Sequence, residues 1–194
     1  MKKDIILAGV GGQGILSIAA IIGYAAVESG LYLKQAEVHG MSQRGGDVQS
    51  HLRLSSAAIA SDLIPKGMAD MIISVEPMES LRYLPYLGPQ AWLITSIKPF
   101  VNIVNYPDIE KIMAEIHAQP RYIALDAEAM AGELGSIKAA NMVVLGAASP
   151  FLDMDYNKME SAIQFVFGKK GEDLVNLNLK ALKAGREFAE KTVN

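Results

Sequence analysis

The chain has 194 residues, enough for one domain that removes roughly 70% of its unfolded surface from water. Hydrophobic residues make up 51% and charged residues 20%, a balance that excludes a disordered chain and fits a packed α/β protein. A net charge of −3 argues against a general nucleic-acid binder, and the absence of cysteine excludes disulfides, cysteine nucleophiles and Cys-ligated clusters on this chain.

Along the chain, Asp4 to Ala8 reads as a buried parallel strand ending at Gly9-Val10-Gly11-Gly12-Gln13-Gly14. Ile15 to Ser29 follows as a helix apolar almost all round, stopped by Gly30. The uncharged run from Ile5 to Val27, preceded by Lys2 and Lys3, is long enough to raise a membrane or signal-peptide reading. Glycines and Gln13 break it in the middle and Asp4 stands in its leader, so it reads as strand, turn and buried helix, with no membrane and no export. Leu31 to Val38 is a second strand. It leads to another glycine turn, Gly40-Met41-Ser42-Gln43-Arg44-Gly45-Gly46.

Val48 to Ser55 alternates as a strand, with Leu52 and Leu54 on one face and Arg53 on the other. Ala69 to Val75, Ala91 to Thr95 and Arg121 to Leu125 read as further core strands, with surface helices at Met78 to Leu84 and Asp108 to Ala118. From Ala127 the pattern turns helical, with candidate helices at 138–148, 155–166 and 171–191, and the tail is expected to pack on the sheet. The expected fold is an α/β three-layer sandwich, a single domain over 1–194, with a mostly parallel or mixed central sheet and a helical C-terminal segment.

Gly9, Gly11 and Gly14 satisfy G-x-G-x-x-G between a strand and a helix, the context in which that pattern cradles a dinucleotide phosphate. The acidic partner expected about 20 residues later has only Glu28 and Glu37 as candidates. The competing reading is that the glycines simply permit a tight strand–helix crossing. In the second turn, Arg44 beside permissive glycines can offer a guanidinium fork to a carboxylate or phosphate, or pair with Asp47 or Glu37 in a solvated loop. His39 could be an acid/base group or a structural histidine. Glu76 could be a site carboxylate or a helix cap paired with Arg82. His39, His51 and His117 are too scattered for a metal site, and no phosphate loop, nucleophile elbow or thiamine diphosphate-binding G-D-G…N-N pattern occurs. Difficult chemistry would need a cofactor on another chain.

Gly9-Val10-Gly11-Gly12-Gln13-Gly14-Ile15-Leu16, the stretch from Glu37 to Val48, the stretch from Ala69 to Arg82 and Asn141 to Ala147 together resemble the γ-type subunit of 2-oxoacid:ferredoxin oxidoreductases. The small β subunit of indolepyruvate:ferredoxin oxidoreductase is the nearer subfamily. Ser61-Asp62-Leu63-Ile64 departs from the Ser-Pro common in relatives. The resemblance implies an accessory subunit with no catalytic residue, no metal and no bound cofactor of its own. Its partner would be a large subunit carrying thiamine diphosphate, Mg and iron–sulfur clusters in a cytoplasmic complex. That complex converts a 2-oxoacid and coenzyme A (CoA) to acyl-CoA and CO2 and reduces ferredoxin. Gly11, Gly12, Gln13 and Gly14, with Ser42, Gln43, Arg44, Gly45 and Gly46, would face the partner and the active-site mouth. A stand-alone Rossmann-like oxidoreductase and a non-catalytic nucleotide-binding scaffold are the alternatives.

Overall fold

The structure, a computed structural model, describes residues 1–39 and 45–193. Its centre is a six-stranded sheet of β1 (Lys2–Val10), β2 (Tyr32–His39), β3 (Asp47–Ser55), β4 (Ala69–Ser74), β5 (Leu87–Ser96) and β6 (Tyr122–Leu125), in the order β2-β3-β1-β4-β5-β6. β1, β4, β5 and β6 run parallel, whereas β3 pairs antiparallel with both β1 and β2. The sheet is therefore mixed, as a hairpin added to a parallel core.

Alternation along the strands separates two cores. Ile5, Leu7, Leu52, Leu54, Met71 and Ile73 belong to one core with α1 (Ile15–Glu28), α4 (Ala127–Glu133), α5 (Ala140–Ala148), α6 (Tyr156–Phe167) and α7 (Glu172–Val193). Ile6, Ala8, Ile72 and Leu93 face α2 (Pro77–Arg82) and α3 (Ile109–His117). The expected three-layer α/β architecture is the one observed. The helical layer on the first face is itself double: α6 covers α1 and α7 covers α5. An inner helix buried on both sides must be apolar all round, which is why α1 and α5 read so continuously hydrophobic.

The tail thus packs chiefly on α5 and not on the sheet, contrary to the sequence expectation. Gly146 and Gly185 mark that crossing, where a Cβ on either would meet a carbonyl oxygen of the opposite helix. α4 begins at Ala127, where the pattern turns helical as expected, but lies ahead of the three candidate helices. Its seven residues are too short to display a period, and only Ala127 and Ala131 are buried. The loop at Ser61–Ile64 is held by two polar residues of β3. Arg53 Nη1 donates to the carbonyls of Ser61 and Leu63, each at 3.0 Å, and Ile64 N–H donates to His51 Nδ1 at 2.9 Å. Among the described residues no helix is long and apolar enough to cross a membrane.

Candidate functional site

The helix after β1 lies on one face of the sheet and the helix after β4 on the other, so the chain opens a crevice beyond the carboxyl ends of these adjacent parallel strands. Gln13 occupies that point. Its Oε1 accepts the N–H of Val10 at 2.8 Å and its Nε2 donates to the carbonyl of Val75 at 3.5 Å, joining the β1 turn to the end of β4. A cavity of about 530 Å³ opens beside it, walled by Gly12–Gly14, Ser96, Phe100, the starts of α4 and α5, and α7. Glu128 and Lys138 bring opposite charges to its lining.

Gly14 caps α1 at φ 82°, a left-handed conformation that glycine adopts without strain. A Cβ there would lie 2.4 Å from Nδ2 of Asn141. That amide donates to Gly14 O at 3.1 Å, so the first residue pair of α5 is pinned to the N-terminus of α1. Asn141 is a residue that sequence reasoning did not single out for a role. The available signal was a lone amide heading the apolar stretch Met142 to Ala148.

The two glycine turns meet through backbone bonds. Gly11 N–H donates to Gly46 O at 2.8 Å, and Gly45 N–H donates to Gly11 O at 3.4 Å. Gly12, Gln13 and Gly14 line the cavity, and Gly45 and Gly46 bond the neighbouring Gly11. Ser42, Gln43 and Arg44 lie outside the described residues, as do Gly40, Met41 and the side chain of His39.

Glu76 caps α2, its Oε2 accepting the N–H of Glu79 at 2.8 Å; Arg82 pairs with Glu79, at 2.7 Å, and not with Glu76. The hydrogen bonds to Glu79 hold the Arg82 guanidinium above its usual pKa. Oε1 of Glu76 accepts the N–H of Phe100 at 3.2 Å and the hydroxyl of Tyr106. Burial, then this bond, push the Tyr106 phenol well above its usual range. Asn102 Nδ2 donates to Gly45 O at 2.6 Å, so the segment after β5 touches the second turn. Among the described residues no cluster of His, Asp or Glu is placed to hold a metal ion.

The family described as "Pyruvate ferredoxin/flavodoxin oxidoreductase" matches residues 4–188. The chain belongs to this family. Like the relatives it aligns with end to end, this oxidoreductase family member is a subunit. The chain is 37% identical to "Indolepyruvate oxidoreductase subunit IorB" of Archaeoglobus fulgidus, over 95% of this chain and 94% of that one. It is 34% identical to the subunit of the same name from Pyrococcus horikoshii, over 100% of both. Among solved structures, the gamma subunit of a keto/oxoacid ferredoxin oxidoreductase from Geobacter sulfurreducens is similar at a TM-score of 0.67 and 25% identity, covering 97% of this chain and 99% of that one. The 2-oxoglutarate:ferredoxin oxidoreductase of Magnetococcus marinus, solved with 2-oxoglutarate, coenzyme A and succinyl-CoA bound, shares the fold at a TM-score of 0.78 and 23% identity. This family member covers 98% of itself but only 31% of that longer polypeptide.

The sheet order also bears on the dinucleotide reading. In a dinucleotide-binding βαβ unit the second strand lies beside the first and brings its acidic residue to the glycine turn. Here β3 intervenes, and Glu37 sits on the outer strand β2. The glycine pattern of this oxidoreductase subunit therefore lacks the neighbour that gives it nucleotide specificity.

Proposed function

We propose that this chain is the accessory subunit of a thiamine diphosphate-dependent 2-oxoacid:ferredoxin oxidoreductase that uses an arylpyruvate such as indolepyruvate. The complex converts the 2-oxoacid and CoA to acyl-CoA and CO2, and passes two electrons to ferredoxin in the cytoplasm. The observation that carries this reading is the end-to-end similarity to the indolepyruvate oxidoreductase subunits. A chain without cysteine has no thiolate to offer an iron–sulfur cluster. Iron–sulfur clusters, Mg and thiamine diphosphate accordingly belong to the large partner subunit, where the thiamine ring supplies the electron sink for decarboxylation.

This chain's own residues bind and position. Gly11, Gly12, Gln13 and Gly14, with Ser42, Gln43, Arg44, Gly45 and Gly46, form the face turned to the partner and the active-site mouth. The closure of Gly45 and Gly46 onto Gly11 supports one continuous surface there. Arg44 supplies the cation for an anionic co-substrate. Val101, Ile103 and Val104 stand exposed close by, as a docking surface for the large subunit requires. In the Magnetococcus polypeptide the same fold is one part of a longer chain, which supports a large neighbour here too.

Anaerobic capture of the tagged chain from its native cells tests the reading. A larger, brown partner containing thiamine diphosphate and iron, with CoA-dependent dye reduction by arylpyruvates, is the expected result. A lone colourless protein would overturn it. Arg44→Ala in the complex should raise the KM for CoA.

A further inference from the structure

Glu76 is fully buried, yet a helix cap uses only one of its carboxylate oxygens. The other oxygen accepts from Phe100 N–H and from Tyr106 Oη, two groups at opposite ends of the segment 100–106. Between them Asn102 reaches Gly45 O, and Gly45 and Gly46 close on Gly11. One carboxylate at the N-cap of α2 is therefore the anchor of a strap that touches the junction of the two turns through Asn102.

We propose that Glu76 is a positioning residue, setting Gly45 and Gly46 against the first glycine turn through the strap 100–106. The inference rests on the reading of the turns given above. Hydrogen bonds to an ionised acceptor are about twice as strong as neutral ones. A buried carboxylate that loses such donors is left undercompensated, so the clamped strap is strongly favoured over a released one. The strap also carries the exposed apolar residues Val101, Ile103 and Val104, so the same anchor fixes the angle at which they meet a neighbour.

Tyr106→Phe removes one bond to Glu76 and leaves the helix cap intact, while Asn102→Ala cuts the strap from the turn. In the complex assembled with its large subunit, each should raise the KM for CoA about tenfold, with kcat changed by less than about twofold. The two act in series, so the double variant should be no worse than the more severe single one. An unchanged KM in both single variants, with only the melting temperature of Tyr106→Phe lowered, would reduce Glu76 to a structural cap and overturn the proposal. Additive effects in the double variant would also overturn it. If Arg44→Ala raises the KM for CoA and these variants do not, the positioning role fails alone; if Arg44→Ala has no effect either, the reading of the turns fails with it. Should Tyr106→Phe not fold, Asn102→Ala, at the surface, carries the test by itself.

Discussion

Replacing Gly146 with alanine puts a methyl group on the line where α5 and α7 touch. Its Cβ would lie 2.0 Å from the carbonyl oxygen of Leu182, 2.8 Å from that carbonyl carbon and 3.1 Å from the nitrogen of Arg186. All three are backbone atoms, so no rotamer change relieves the overlap. Carbon–oxygen contacts settle near 3.3 Å or beyond, so the helices must part by about 1.3 Å. α5 cannot retreat, because its other side is packed on the sheet. Overpacking costs about 1–3 kcal/mol, and parting the helices adds lost dispersion around Ala181 and Leu182, both fully buried. Alanine's better helix propensity returns about 1 kcal/mol. The expected net loss is about 1–3 kcal/mol, or a melting temperature lower by roughly 2–12 °C. Urea and thermal unfolding followed by circular dichroism measure it. Gly132→Ala is the internal comparison: it also lies in a helix, but its nearest foreign atom is a side-chain carbon at 3.6 Å. That variant should be neutral or more stable by up to about 1 kcal/mol. A Gly146→Ala protein as stable as its parent would refute the backbone-contact argument.

Arg53→Met should cost about 3–5 kcal/mol, because Asp4 is 1% exposed and takes two bonds from that guanidinium, at 2.8 and 3.0 Å. Lys2→Met, removing the half-exposed second partner, should cost less than about 1 kcal/mol in the same denaturation assay. Burial, then the charge of Arg53, hold the His51 pKa below 6.5. The unfolded chain therefore takes up the proton first: stability is full above pH 6.5 and falls as the pH drops below it. The urea midpoint should decline between neutral pH and pH 5, and His51→Gln should flatten that slope. Asp4 acts further down the scale, where burial raises its pKa but the Arg53 and Lys2 bonds outweigh it and hold it below 3.8. Its contribution is present above pH 3.8 and lost as the pH falls through the lowered value. Gly14→Ala should cost about 1–3 kcal/mol through the left-handed backbone and the displaced Asn141 amide. A crystal structure of that variant should show the Asn141–Gly14 bond broken.

Every strand was legible: β1, β4, β5 and β6 contain short apolar runs closed by turn residues, and β3 shows itself by alternation. The ends were not: the first half of β5 contains Gly88 and Pro89, which read as a break, yet it continues the strand from Leu87. Sheet order was hidden as well, since nothing local in Val48–Ser55 says that it inserts between β1 and β2. At the candidate site, the first turn announced itself through glycine spacing. Asn141, Asn102 and Tyr106 did not, because each acts on a partner distant in sequence: Asn141 lies 127 positions from Gly14, and Asn102 57 from Gly45. Glu76 shows the limit from the other side. Its cap was readable from the following proline and helix, but its second oxygen depends on where the 100–106 segment returns.

The double helical layer has a consequence for how the chain is made. α1 emerges from the ribosome early, while the helix that covers its outer side, α6, comes much later; Lys158 of α6 bonds the Glu28 carbonyl across 130 positions. At about 5–20 residues per second, that interval lasts on the order of ten seconds. During it, a nearly all-apolar helix has an uncovered flank. The period of greatest exposure to aggregation and to chaperone capture thus falls within translation, before the last two helices seal the two inner ones.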